Sequence, residues 1–300
     1  MLKIAHSPYY AHPLPEGHRF PMEKYDLIPQ QLLYEGTITQ DNLFTPEVLT
    51  EAQVLLTHDA EYWRKLKEQR LTAKEIRKTG FPLSERLVHR EINIGHGTYL
   101  CAHYALEHGI AMNTSGGTHH AFTDRGEGFC LLNDIAMAAK LLLEEGHVHK
   151  ILIVDLDVHQ GNGTAEIFRQ DPRVFTFSMH CRTNYPLEKE QSDLDIEIEP
   201  FTDDAPYLAI LHHALPRLLD EVQPDFVFYL SGVDIVETDK LGKLSLTREG
   251  CKERDRYVLQ TMKRNGLPLA ISMGGGYSPK IIDIVEAHCN TYRLAQEIYF

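Results

Sequence analysis

Apolar residues along the chain fall into two rhythms. Five short runs, GIAMNTSGG (109–117), ILIVDLD (151–157), RVFTFSMH (173–180), DFVFYLSGVD (225–234) and PLAISMGGG (268–276), are dense in β-branched and aromatic residues and predict buried strands. All but 173–180 run directly into polar or glycine-rich turns. Between the runs, apolar positions recur at three and four, as in LNDIAMAAKLLLEEG (132–146), which predicts a helix stopping at Gly146. Strand and helix therefore alternate. That order predicts an α/β chain with a mostly parallel central sheet, helices on both faces and one domain over residues 1–300. In open sheets of this kind ligands collect outside the C-terminal ends of the strands.

Two further helix starts are written in local capping chemistry: Thr45 before Pro46 and Glu47, and Ser278 before Pro279. SDLDIEIE (192–199) alternates cleanly and is compatible with an edge strand and with an ordered surface loop. No internal repeat or linker-like stretch divides the chain of 300 residues.

Composition narrows the class of partner. With 43% hydrophobic and 24% charged residues the chain can bury a sizeable core. A formal charge of −13 opposes direct nucleic-acid binding and weakly favours a cationic substrate such as a lysine-bearing tail or a polyamine. No apolar stretch is long enough to span a bilayer, the start lacks a signal-peptide pattern, and a cytoplasmic location is expected. Five scattered cysteines without C-x-x-C spacing are expected to remain thiols.

The chemistry lies where strands end. In an extended chain, positions two apart share a face, so Asp155, Asp157 and His159 converge at the end of ILIVDLDVHQGNG. With Asp234 they gather charge at the ends of apolar runs, where unpaired carboxylates are costly and a cation relieves them. Asp157, His159 and Asp234 offer two carboxylate oxygens and an imidazole nitrogen. That set leaves room on a divalent metal for water and a substrate oxygen, as in catalytic sites. It suits zinc and also accepts iron(II) or cobalt, because no thiolate selects against them.

His119 and His120 follow Gly116 and Gly117, so a tight turn can present both imidazoles for acid–base work. Tyr277, after Gly274 to Gly276, offers a phenolic donor for an oxyanion. Phe129, in GEGFC (126–130), sits on a flexible loop where its ring can line a narrow entrance. His147 with His149, and His212 with His213, read as surface histidines.

The segments GGTHHA (116–121), GFCLLNDIA (128–136), DLDVHQGNG (155–163), SGVDIVETDKLG (231–242) and MGGGYS (273–278) resemble the histone deacetylase superfamily over nearly the whole chain. The GNG centred on Asn162 and LGKLSLT (241–247) are most similar to the class IV branch and its bacterial relatives. The resemblance implies an arginase/deacetylase fold in which Asp157, His159 and Asp234 bind zinc and water activated there attacks the carbonyl of an N-acylated amine. It implies that His120, paired with Asn162, carries the proton to the departing amine, that His119, oriented by Asp155, acts electrostatically, and that Tyr277 donates to the oxyanion. It further implies a structural potassium ion at Asp155, Asp157, His159, Ser178 and Met179. Gly128, Phe129 and Tyr185 would line the acyl-lysine tunnel, and Arg19 an exit path for the released acid. Two departures bear on substrate: Asn162 stands where many members have aspartate, and no counterpart of a rim aspartate is visible.

The leading expectation is a metal-dependent hydrolase of acyl-lysine in a peptide or protein. A deacylase of small amines such as acetylated polyamines and a long-chain deacylase use the same chemistry. A catalytically silent acyl- or partner-binding module is the reading from another class, opposed by the presence of His119, His120 and Tyr277. A guanidine hydrolase would normally bring a two-metal, aspartate-rich site, whereas this chain offers one compact ligand set.

Overall fold

The computed structural model describes residues 1–300. Eight strands, β1 (Lys3–Ala5), β2 (Leu43–Phe44), β3 (Ile110–Asn113), β4 (Ile151–Asp155), β5 (Val174–Cys181), β6 (Leu194–Ile198), β7 (Phe226–Leu230) and β8 (Leu269–Ser272), form one sheet. Their order is β2-β1-β3-β8-β7-β4-β5-β6, and every pairing is parallel. The five runs rich in β-branched residues all become strands, and 192–199 supplies edge strand β6. The sequence pattern did not disclose β1 and β2, which are three and two residues long.

The central strands are apolar on both faces because helices cover both. Ile151 and Ile153 of β4, with Phe226 and Phe228 of β7, pack into the smaller core beside the helices Glu85–His108 and Asp134–Glu144. Leu152, Val154, Val227 and Tyr229 point the other way, into the larger core shared with the helices Arg248–Arg264 and Ile281–Tyr299. This period of two, with apolar residues at every position, is the mark of a fully buried parallel sheet. No helix is long and apolar enough to cross a membrane.

Both helix starts read from capping residues lie elsewhere. Residues 45–50 stay irregular because Asn93 Nδ2 donates to the carbonyls of Pro46 (2.8 Å) and Glu47 (2.5 Å), which fixes that backbone against the long helix. The helix Glu51–Val54 begins instead after Thr50, where Thr50 and Gln53 cap each other reciprocally. Near the C-terminus, Ser278 Oγ is engaged with Thr238 Oγ1 at 2.8 Å, and the last helix starts only at Ile281. The expected stop at Gly146 is present: the helix ends at Glu144 and Gly146 adopts φ 71°.

Candidate metal centre and its tunnel

Strands β3, β8, β7 and β4 are consecutive in the sheet, and the chain leaving each C-terminal end carries one part of the site. Asp157 and His159 follow β4, and Asp234 follows β7. All three are buried, and their ligand atoms lie within 4.8 Å of one another. His159 Nδ1 is 3.0 Å from Asp157 Oδ1 and 3.2 Å from Asp234 Oδ2.

Backbone donors fix both carboxylates: Gly275 N–H binds Asp157 Oδ2 (2.8 Å), and Val158 N–H binds Asp234 Oδ1 (3.0 Å). The glycine run after β8 is required here, since a Cβ at Gly275 would fall 2.0 Å from Asp234 Oδ2. Asp234 Oδ2 itself has no hydrogen-bond partner. Burial and the neighbouring Asp157 charge push Asp234 up to about 7. Burial opposes charge on His159, but Asp157 and Asp234 outweigh it and raise the imidazole to about 10. Two crowded carboxylates, one with an oxygen that has no partner, beside an imidazole whose proton a metal would displace, fit a divalent cation.

Of the residues expected at a potassium ion, Asp155, Asp157 and Ser178 are neighbours. Asp155 pairs with Ser178 in the β4–β5 register, and Asp155 Oδ1 accepts from Asp157 N–H at 3.1 Å. The Asp157 and His159 carbonyls accept no hydrogen bond, and both residues are buried. Such unpaired oxygens fit a monovalent cation held by backbone.

His119 and His120 sit after β3 on a turn in which Gly116 and Gly117 have φ 82° and 76°. Their rings lie 4.1 Å apart between centroids. His119 Nδ1 meets Asp155 Oδ2 at 2.7 Å, and His120 Nδ1 meets Asn162 Oδ1 at 2.6 Å. Burial works against a charged His119, yet Asp155 and Asp157 prevail and lift it to about 9. Burial, with the charges of His119 and His159, drives His120 well below the usual histidine range. The turn is held by Asp134, whose Oδ1 accepts from Thr118 N–H (2.8 Å) and Oγ1 (2.7 Å), while Oδ2 accepts from Thr98 and Ser272 hydroxyls.

Tyr277 follows Gly276 (φ 152°), and its N–H donates to Asp239 Oδ2 at 2.6 Å. Burial, then the Asp157 and Asp234 charges, holds its phenol well above 10, so the O–H stays available as a donor. A cavity of about 830 Å³ runs to these groups and is lined by His120, His159, Gly128, Phe129, Tyr185 and Tyr277, among others. A Cβ on Gly128 would lie 2.6 Å from His120 Cδ2 and 3.3 Å from Tyr185 Cε1, so glycine keeps this passage open. Tyr185 OH donates to Glu127 Oε2 at 2.7 Å.

The Phe129 loop is clamped rather than flexible. Gly128 N–H donates to Lys78 O (3.0 Å) and Phe129 N–H to Thr79 O (2.8 Å), and the Phe129 ring packs on Phe20, Phe81 and Tyr277. Arg19 is corrected too: it is exposed at the outer mouth, its guanidinium 5.0 Å from the Phe129 ring centre. The arginine beside the small inner cavity of about 30 Å³ is Arg90, buried in the helix Glu85–His108. His213 and His147 are exposed, as read from sequence; His147 groups loosely with His103 and Glu145 at the opposite end of the sheet.

Several supporting residues carry no local sequence signal. Arg254 is fully buried behind the metal-type residues and donates to the carbonyls of Leu156 (3.1 Å), Gly232 (2.6 Å) and Ser231 (3.3 Å), tying the ends of β4 and β7 together. Lys24, also buried, donates to Gly274 O at 3.1 Å, and burial lowers it to about 8. Asp134 and Asp239 hold the histidine turn and the tyrosine. Asp134 stands inside GFCLLNDIA, and Asp239 inside SGVDIVETDKLG, so the matched segments contain them without marking their partners.

Comparison with known proteins agrees with this geometry. Residues 18–292 match the histone deacetylase domain. An uncharacterized protein of Picosynechococcus sp. is 46% identical over 99% of both chains. Histone deacetylase 2 of Arabidopsis thaliana is 30% identical over 87% of this chain and 70% of its own. The acetoin utilization protein AcuC of Staphylococcus aureus is 27% identical over 88% and 73%. In fold, the chain is similar to a crystal structure of an HDAC homolog complexed with SAHA, at TM-score 0.83 and 23% identity, covering 97% of this chain and 82% of that one. With the domain match spanning nearly its whole length, and the metal-type residues, paired histidines and tyrosine gathered at the ends of adjacent strands, this chain belongs to the histone deacetylase family.

Proposed function

We propose that the protein is a metal-dependent hydrolase that removes an acyl group from acylated lysine in a peptide or protein. The observation that carries this reading is the cluster of Asp157, His159 and Asp234 at adjacent strand ends, beside a cavity that reaches His120, His159 and Tyr277. A zinc ion held by Asp157, His159 and Asp234, or iron(II) or cobalt in its place, supplies Lewis acidity at the acyl carbonyl and makes a nearby water acidic. A potassium ion against the Asp157 and His159 carbonyls, with Asp155, Ser178 and Met179, would stiffen the loop that carries the ligands.

The chain's own residues do the rest. Asn162 Oδ1 accepts a hydrogen bond from His120 Nδ1–H, leaving Nε2 free to take a proton as the water oxygen bonds to the acyl carbon. The same Nε2–H then donates to the amine nitrogen as the C–N bond breaks. His119, held by Asp155, whose carboxylate favours its charged form, stabilises the negative charge that gathers nearby. Tyr277 donates its O–H to the carbonyl oxygen as that oxygen becomes negative. Gly128, Phe129 and Tyr185 shape the passage for the four-carbon lysine stem and exclude water around it. Presence of the histidine pair and the tyrosine at the cavity supports catalysis over a silent binding module. Asn162 and LGKLSLT support placement nearest the class IV branch, and five free buried cysteines are in keeping with the cytoplasm.

The test is a panel of acyl-lysine peptides of increasing acyl length, run beside acetylated polyamines on protein stripped of metal and refilled with zinc, iron(II) or cobalt. Tyr277→Phe should lower kcat on the best substrate by about 10²–10³-fold while metal content is kept. Full turnover in that variant, or acyl-amine hydrolysis in stripped protein, contradicts the proposal.

A further inference from the structure

The mouth of the cavity carries a charge opposite to that of the whole chain. Five cations line it, Arg19, Arg77, Lys78, Arg125 and Lys189, against three carboxylates, Glu127, Glu188 and Glu190, in a chain of formal charge −13. Two of those carboxylates are already neutralised. Glu127 is buried and accepts from Lys78 Nζ (2.9 Å), Arg125 Nε (3.1 Å) and Tyr185 OH (2.7 Å), and Glu190 pairs with Arg169. Lys189 points its ammonium at the carbonyls of Asn184 and Pro186. Arg19 and Arg77 are exposed, and neither guanidinium pairs with a carboxylate. Glu188 is the single rim carboxylate left without a partner.

The backbone that carries two of these cations is fixed against the tunnel wall. Arg77 and Lys78 stand in the last turn of the helix Ala73–Thr79, where positive charge also suits the helix dipole. That end of the helix is bonded to the tunnel wall through Lys78 O to Gly128 N–H and Thr79 O to Phe129 N–H. Arg19 lies over the Phe129 ring on the other side. A substrate whose acylated side chain enters the passage must lay its flanking groups across this rim. Guanidiniums without partners there attract carboxylates and repel ammonium groups.

We infer that the rim selects N-acyl amines with anionic flanks: an acyl-lysine set among aspartate and glutamate residues, rather than a lysine- and arginine-rich tail or a polyamine. The inference rests on the deacylase reading for the position of the acyl group, but the charge recognition can be measured separately.

The experiment uses labelled peptides that share a central Nε-acetyl-lysine and differ only in flanks of Asp/Glu, Ser/Gly or Lys/Arg, with zinc-loaded protein. Binding is read by fluorescence anisotropy and turnover by release of acetate, with an N-acetylated polyamine as a further substrate. The acidic-flanked peptide should bind about tenfold tighter than the basic-flanked one, ~1.4 kcal/mol, and the ratio should shrink as salt is added. In the double variant Arg19→Glu/Arg77→Glu the ratio should invert. Because each ratio is taken on one protein sample, loss of folded protein cancels. Equal binding, a preference for basic flanks, a polyamine turned over best, or an unchanged ratio in the double variant overturns the inference. Acidic-flank preference without turnover of any substrate leaves the rim standing and removes the deacylase reading. Turnover without flank preference does the reverse.

Discussion

Replacing Arg254 by methionine should damage the metal centre from behind, without touching a candidate ligand. The guanidinium is fully buried and bonds to three carbonyls at the ends of β4 and β7 and to Asp255, whose Oδ1 lies 2.9 Å from Nε. Methionine fills most of the aliphatic volume, so the loss is chiefly electrostatic. It leaves three carbonyls unpaired and a buried Asp255 with only the Tyr229 (2.5 Å) and Thr291 (2.7 Å) hydroxyls. Breaking one side of such a buried pair costs about 3–5 kcal/mol, and unpaired carbonyls add to it less than additively. We therefore expect a loss of about 4 kcal/mol in urea unfolding of the metal-free protein. Zinc affinity should fall about 10–100-fold, because Leu156 and Gly232 flank the candidate ligands. The double variant Arg254→Met/Asp255→Leu should recover part of the stability by removing the stranded charge, though not the affinity. A loss below about 1 kcal/mol with unchanged zinc affinity would refute this account of how the strand ends are held.

Two further perturbations follow from the same structure. Gly275→Ala places a Cβ 2.0 Å from Asp234 Oδ2, so it should abolish zinc binding by calorimetry while far-ultraviolet circular dichroism stays that of the parent; undiminished binding would contradict the close approach. His58 is buried, donating from Nδ1 to Phe122 O (3.0 Å) and accepting at Nε2 from Asn133 N–H (3.0 Å), and burial lowers it from 6.5 to about 4. Above pH 6.5 it is neutral in folded and unfolded chains alike, and between 6.5 and 4 only the unfolded chain gains the proton. Its contribution to stability therefore falls as pH falls through that window, by about 2 kcal/mol at pH 5. His58→Gln should flatten that part of the stability–pH curve, and an unchanged slope would sink the assignment.

The legible part of this protein is local in sequence. Apolar runs ending in Asp157, Asp234 or the glycines before Tyr277 disclose both a strand and the chemistry at its end, since a parallel sheet buries both faces and leaves polar groups only where strands stop. What was hidden depends on partners distant along the chain. Arg254 belongs to REGCKERDRYVLQTMKR, a charged stretch with no local sign of burial, and only its carbonyl partners 22 to 98 residues back show that it is buried. Thr45 has the chemistry of a helix cap, but Asn93 engages the next carbonyls and moves the helix start to Thr50. Strands β1 and β2 are too short to show a period. Mouth charge was likewise invisible, because the overall excess of acidic residues says nothing about which ones face the cavity.

Anomalous diffraction from crystals of the protein refilled with zinc tests the central claim most directly. The account predicts one strong peak bounded by Asp157, His159 and Asp234, facing His120 and Tyr277, and no peak there in Asp234→Ala. A zinc ion bound elsewhere, or the same three side chains clear of it, would contradict the account.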